Sequence, residues 1–441
     1  MRNFFKKDGL LDNYFEVTKN GSTPKREVVA GLTTFMTMAY ILIVNPTILA
    51  AAGMNQGAVF TATALSAFVA TLLTGIYAKL PFAQAPGMGL NAFFAYTVVL
   101  QMGYSYQFAL TAVFLEGIIF ILLTLFNVRE AIVDSIPDCI KKGISVGIGL
   151  LIALIGLEGA GIVIHPKDGG TILSLGSITH GTGLLAIVGL IITAILLAKR
   201  VKGALFIGMI ITAIIGIPFG LTPIPSAVIS APPSISGILF DFEWHNIFSV
   251  DMIIVLFTLL FMDLFDTIGT LVGVATKAKM LDENGKVPNI KKALLSDAIG
   301  TTFGACVGTS TVSTFVESAA GVAEGGRTGL TAVSTAIMFA LALFFSPIFA
   351  AITPAVTASA LILVGLFMIE PIREINLEDY SESIPAFLTM IMMPFSYSIS
   401  DGIIFGVISY ILIKLFTGKV KDISITTVVI GVIFLLKFLI K

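Results

Sequence analysis

Two aspartates, Asp263 and Asp266, stand three residues apart in LLFMDLFDTIGTLVG, a stretch that otherwise reads as an apolar helix. A third acid, Glu317, stands in STFVESAAGVAEGG, and Asn91 stands in APGMGLNAFF. In apolar surroundings a carboxylate accepts hydrogen bonds, holds a proton or meets a cation, while an amide both donates and accepts. At i and i+3, Asp263 and Asp266 share a helix face with Cβ atoms about 5 to 6 Å apart. Burial and like charge both oppose double ionisation there, so one shared proton is expected, titrating as a property of the pair. The plainer alternative is that an aspartate merely hydrogen-bonds backbone or a Ser/Thr hydroxyl near a helix end.

These acids must be held by membrane helices. Of 441 residues, 56% are hydrophobic and 12% charged, far from the roughly 25% charged residues of a soluble domain. A bilayer core needs about 20 apolar residues per helix, and such runs recur from Val28 to Ile440, about fourteen in all by this length rule. They are continuous rather than alternating, which points to an all-α polytopic membrane protein and away from a barrel. The start, MRNFFKKDGLLDNYFEVTKNGSTPKRE, has no apolar core followed by a small-residue cleavage site, so no signal peptide is expected. A net charge of -1 gives no basic surface for nucleic acid. Cys139 and Cys306 lack metal-ligand spacing, and His165, His180 and His245 fall in expected loops, so neither a metal nor another cofactor is expected.

With the N-terminus in the cytoplasm, the basic clusters around Lys6 to Arg26, Arg129 to Lys142, Lys199 to Lys202 and Lys277 to Lys292 fall inside, as the positive-inside rule asks. Lys414, Lys419 and Lys421 fall outside on the same count. An internal repeat accompanies this pattern. The run from His180 resembles the run from Ile399, with RVK over KVK; Pro137 answers Pro354, and ALSAFVATLLTG at Ala64 answers LLSDAIGTTFGA at Leu294. Two halves of seven spans are oppositely oriented because seven is odd, which is the inverted-repeat plan of secondary transporters. ESIPAFLTMIMMPFSYS has no partner in the first half and reads as an extra interfacial or re-entrant helix.

Two matching segments are poor helices, LPFAQAPGMGLNAFFAYTVV and GACVGTSTVSTFVESAAGVAEGGRTG. Unwound backbone at membrane depth persists only where protein or a water-filled cavity satisfies it, and paired interruptions point to a transporter's site. Half-helices are expected to begin near Leu90 to Phe93 and near Ser313 to Phe315, placing Asn91 and Glu317 at or within a first turn with its free N–H groups. Glu116 and Glu158 lie outside these segments and read as packing or interface residues. Carboxylates without nearby Lys or Arg suit a neutral molecule rich in N–H donors, or a cation, and protonation of one acid supplies a coupling ion; sodium is the alternative. No nucleophile or metal constellation argues for an enzyme.

The motifs VAGLTTFMTMAYILIVNP, APGMGLNAFFAYTVV, FMDLFDTIGTLVGVA and STFVESAAGVAEGGRTGL closely resemble the purine permeases of the AzgA-like hypoxanthine/guanine and adenine branch of the nucleobase-ascorbate (nucleobase:cation symporter) superfamily. The resemblance covers nearly the whole chain. It implies fourteen spans in a seven-plus-seven inverted repeat: a cytoplasmic segment 1–27, a core domain from 28–135 and 251–352, a gate domain from 136–220 and 353–441, and an extracellular loop 221–250. It implies a purine substrate held by Asp266 and Glu317, with Asn91 and Asp263 as further polar site residues, and a multi-pass protein of the plasma membrane in a family where homodimers are common. Proton coupling would fall to Asp263, Asp266 and Glu317, and Phe93, Phe94 or Phe315 could stack on the ring. Uracil or xanthine, or an anion such as sulfate or bicarbonate, are the alternative substrates on this architecture.

Overall fold

The computed structural model describes residues 9–126, 137–166, 173–277, 280–281, 287–424, 427–428 and 431–432. The apolar run expected to form the last span, and the basic residues Lys6, Lys7 and Arg129, lie largely outside them. A short helix α1 (Leu10–Phe15) precedes α2 (Pro24–Met38), which is started by Thr23 accepting from the Arg26 N–H and by Pro24 in the first turn. Across Ala39 and Tyr40 it continues into α3 (Ile41–Ala51), the two making one 28-residue apolar span. Helix α4 (Gln56–Leu73) closes in a π-helical turn, Thr74–Ala78. Strand β1 (Gln84–Pro86) leads into α5 (Met88–Ala92), prolonged by π-helical residues Phe93–Gln101, and then α6 (Tyr106–Leu125).

Next come α7 (Asp138–Gly159), a small β2 (Val163–Ile164) and β3 (Ser174–Leu175) pair, α8 (Gly181–Ala198) and α9 (Ala204–Gly216). An extended loop, residues 221–249, leads to α10 (Val250–Lys277), α11 (Ile290–Val307), β4 (Val312–Thr314) and α12 (Ser318–Ala323). Helices α13 (Gly329–Ala342), α14 (Ser346–Ala350), α15 (Pro354–Met368), α16 (Tyr380–Ser396) and α17 (Ile399–Phe416) complete the described chain. The fold is mostly helical, departing from all-α among the described residues only in its two short ladders. Among the described residues, eight helical stretches are long and apolar enough to cross a membrane.

The helices pack in two groups. In one, α2 lies against α12 and α13, α4 against α11 and α13, and α6 against α10 and α11; in the other, α7 lies against α15 and α16, α8 against α9 and α15, and α16 against α17. The groups meet along α2 with α9, α3 with α15 and α5 with α7. Small residues set the closest crossings: a Cβ at Gly149 would lie 2.6 Å from the Gly365 carbonyl oxygen, and one at Gly365 would lie 2.5 Å from that of Gly149.

Helix α16 is formed by the stretch expected to be an extra interfacial or re-entrant piece. It buries Pro385, Ala386, Thr389, Met390 and Met393 against Gly143 and Gly147 of α7, with Gly402 and Gly406 of α17 on its other flank. Pro385, Pro394 and the Ser-Glu-Ser start disguise it as a poor span. Helix α16 meets α7 and α17 as α8 meets α15 and α9. Lys419 reaches Asp379 Oδ2 at 2.6 Å, and Lys142 reaches the Glu374 carbonyl at 3.1 Å, so the ends of α15 and α17 share a face with the start of α7. Lys419 and Lys142 therefore lie at the same end of this helix group.

Candidate functional site

The two broken segments meet in the middle of the first helix group. β1 and β4 pair antiparallel, with Gln84 opposite Thr314, Ala85 opposite Ser313 and Pro86 opposite Val312. The Gly87 N–H donates to the Thr311 carbonyl at 2.9 Å and the Phe315 N–H to the Ala83 carbonyl at 3.0 Å, prolonging the ladder at both ends. Each strand thus satisfies the other's backbone, which is what permits extended chain at this depth. Gly308, at φ +94, ends α11 in the left-handed region and turns the chain toward β4.

The polar run Thr309–Thr314 is gripped residue by residue. Asn45 of α3 donates to Thr309 at 2.9 Å, the Ser310 hydroxyl donates to Asn91 Oδ1, and the Thr311 hydroxyl donates to Glu116. Thr301 of α11 accepts from the Val312 N–H, Ser313 bonds Asp266, and Gln84 donates to Thr314 at 3.2 Å. Asn91 is fully buried, and its Nδ2 has no protein partner.

Asp266 and Glu317 flank this crossing. Glu317 occupies the position just before α12, which starts at Ser318, later than the expected start near Ser313 to Phe315, because those residues belong to or adjoin β4. Helix α5 starts at Met88, slightly earlier than expected, and keeps Asn91 in its opening turns. The Tyr40 hydroxyl, at the junction of α2 and α3, donates to Glu317 Oε1 at 2.6 Å. Tyr40 lies within the fields of both carboxylates, and Glu317 within that of Asp266.

Asp263 goes elsewhere. Residues i and i+3 differ by about 60° around an α-helix of 3.6 residues per turn, enough to send Asp263 toward α11 while Asp266 faces β4. Asp263 is fully buried; the Thr267 hydroxyl donates to its Oδ1 at 2.9 Å and lies 3.2 Å from Asp297 Oδ1. The expected shared face of Asp263 and Asp266 is therefore divided between two neighbours. Phe93 and Phe94 are sealed in the core, and Phe315 is buried beside the crossing. Glu116 packs on the second broken segment, and Glu158 accepts from the Tyr397 hydroxyl and lies 3.0 Å from His165 Nε2.

A cavity of about 230 Å³ opens between the two helix groups, lined by Thr37, Val316 and Glu317 on one side and by Leu197, Gly203 and Phe367 on the other. Glu317 is the charged residue of its wall. At its rim Lys202, in the α8–α9 turn, pairs with Glu324 at the end of α12. A carboxylate in an apolar wall, backed by a phenol and a second carboxylate, can accept N–H hydrogen bonds from a neutral planar ligand or take up a proton.

The family profile Xan_ur_permease, described as Permease family, matches residues 25–405. The chain belongs to that permease family. As a permease it is a transporter and not an enzyme, and its apolar helices make it a multi-pass membrane protein. It is 45% identical to the guanine/hypoxanthine permease PbuG of Bacillus subtilis, over 97% of this chain and 99% of that protein. It is 42% identical to the adenine permease AdeQ of Escherichia coli, over 98% of this chain and 96% of that protein. These matches bear out the purine-permease resemblance drawn from the four motifs. In fold, the permease resembles the transmembrane domain of a cyanobacterial bicarbonate transporter, BicA, with a TM-score of 0.64 at 16% identity, over 86% of this chain and 97% of that one. It also resembles the murine anion transporter Slc26a9 in the inward-facing state, with a TM-score of 0.63 at 12% identity, over 89% of this chain and 68% of that one.

Sequence reasoning missed two residues, Tyr40 of the permease's polar centre and Asp297 outside it. Tyr40 lies inside a quoted motif, yet a tyrosine in an apolar run usually signals packing. Asp297 lies in LLSDAIG, a stretch used only to find the repeat; its signal was available, because an acid in a spanning helix is costly wherever it falls.

Proposed function

We propose that the permease takes up purine nucleobases, hypoxanthine, guanine or adenine, together with protons across the cytoplasmic membrane by alternating access. The observation that carries this reading is the cavity between the helix groups, walled by Glu317 with Tyr40 and Asp266 behind it; among the described residues, no Lys or Arg lines that wall, and Lys202 at the rim is paired with Glu324. Purine N–H groups need acceptors, which these carboxylates supply, and the Asn91 amide offers a donor close by. The names of the relatives point to the same substrates. The fold neighbours carry anions, but a carboxylate wall opposes an anion, and uracil or xanthine is the closer alternative.

In this reading the chain crosses fourteen times as two inverted repeats of seven, with α16 and α17 as the last two crossings. The group α2–α6 with α10–α14 is the core domain, and α7–α9 with α15–α17 is the gate domain. The basic face, with the N-terminus, is cytoplasmic. Substrate rides on the core as it shifts against the gate.

The test is radiolabelled hypoxanthine uptake into proteoliposomes with and without an inward proton gradient, competed by adenine, guanine, uracil and sulfate. Gradient-driven accumulation blocked by purines alone is expected; competition by sulfate would overturn the reading. Asp266→Asn and Glu317→Gln are expected to abolish uptake with membrane insertion intact, whereas Glu116→Gln, which keeps an acceptor for Thr311, is expected to be tolerated.

A further inference from the structure

Asp297 of α11 is fully buried and lies outside the polar centre just assigned to substrate. The Thr267 hydroxyl oxygen bridges it to Asp263, 2.9 Å from Asp263 Oδ1 and 3.2 Å from Asp297 Oδ1. A threonine hydroxyl has one hydrogen to give and lone pairs to receive. It therefore makes two good hydrogen bonds here only when one carboxyl is protonated and donates back to the hydroxyl oxygen. This is the arrangement of two acids holding one proton, and it joins α10 to α11 rather than two positions of one helix.

The surrounding charged groups are few. Asp266 lies on α10 itself, facing Ser313; Glu116 of α6 is tied to Thr311; Glu317 adjoins α12 and bonds Tyr40. Lys292, at the start of α11, lies over the Tyr77 ring at the end of α4.

We infer that Asp297 is a positioning residue for proton coupling: through Thr267 it makes Asp263 half of a proton-holding pair set behind the substrate site. The inference rests on the purine-transport reading above. With its proton in place the pair carries one negative charge, and with that proton on Asp263 the charge sits on Asp297 of α11, which leaves Asp266 free to be the anion that accepts a purine N–H. When the proton leaves, the pair carries two charges, and the one on Asp263, whose Cβ lies about 5 to 6 Å from that of Asp266, opposes that anion and weakens substrate binding. The step moves one proton on and off a carboxyl oxygen and makes or breaks no other bond.

Asp297→Asn separates this role from a structural one. The asparagine amide donates permanently to Thr267, whose hydrogen then always goes to an ionised Asp263, so the proton is no longer taken up. Two readouts in proteoliposomes decide: hypoxanthine counterflow without a gradient, and accumulation under an imposed gradient. One-proton symport accumulates about tenfold per pH unit, since 1.36 kcal/mol is one unit of pKa and a factor of ten. The expected result is that Asp297→Asn keeps counterflow, loses its pH dependence and accumulates to a ratio near unity, with Asp297→Glu restoring part of the gradient response. Thr267→Val should reproduce the defect and Thr267→Ser should not, which decides the matter even if Asp297→Asn fails to insert. Wild-type accumulation and pH profile in Asp297→Asn, or equal loss of counterflow in Asp297→Asn and Asp297→Ala, would overturn the inference alone. Absence of hypoxanthine counterflow in the unaltered protein would overturn the purine reading and this inference with it.

Discussion

Tyr40 shows what a single hydroxyl contributes to this centre. A hydrogen bond to a charged group contributes about 1.5 to 3 kcal/mol, so Tyr40→Phe is expected to lower hypoxanthine affinity roughly tenfold or more without changing the amount inserted. Concentration-dependent initial rates would show it as a raised KM, and an unchanged KM would remove Tyr40 from the site. Asp266 and Glu317 were legible in the sequence because a carboxylate in a spanning segment is conspicuous. Tyr40 was not, because its partner is 277 residues away and nothing local marks it. The direction of Asp263 was illegible for a related reason: spacing says that two residues are neighbours on a helix, but not which neighbouring helix each one meets. Outside the membrane, Asp379 caps α16 by accepting from the Ser381 N–H. Lys419, and then Ser381, hold its carboxyl well below the usual carboxylate range. Its folded value lies under its unfolded value of about 4, so its contribution is complete above that pH and is lost as pH falls toward the folded value. Melting of the purified protein below about pH 4 is expected to be less acid-sensitive in Asp379→Asn than in the wild type.

At the scale of elements, the interrupted segments could be read because Pro81, Pro86, Gly87 and Gly89 break one helix and the Thr309–Thr314 run breaks the other. Their antiparallel pairing could not, since three-residue strands show no periodicity and their pairing rests on backbone from the opposite half. The same limit hid α16, whose prolines and polar start look like an interfacial piece until α7 and α17 close around it. Glycine positions gain meaning only with the packing: Gly149 and Gly365 are ordinary residues of apolar helices in the sequence and the closest crossing of α7 and α15 in space. Gly149→Ala is expected to cost about 1 to 3 kcal/mol from overpacking, seen as a lower melting temperature in detergent. An unchanged melting temperature would mean that the crossing yields more easily than its backbone contacts imply.

For the whole molecule, the proposed alternating access moves the two helix groups against each other across the cavity between them. Lys202 and Glu324 pair across the cavity rim, one from each group, and being partly exposed the pair contributes at most about 1 kcal/mol. It is a marker of closure rather than its cause. Cysteines at 202 and 324, in a chain with Cys139 and Cys306 replaced by alanine, are expected to cross-link under oxidation and block uptake until reduced; uptake that persists through cross-linking would show that the rim need not open. The ladder at the centre of the molecule also bears on how the protein is made. Gln84 and Thr314 are 230 residues apart, and at about 5 to 20 residues per second a ribosome needs roughly 10 to 50 seconds to deliver the second strand after the first. During that interval the nascent first half has no backbone partner for its extended segment, so it must wait outside the hydrocarbon or against the insertion machinery. The central ladder is thus completed only when the second broken segment emerges, and the permease assembles from its two halves jointly rather than one after the other.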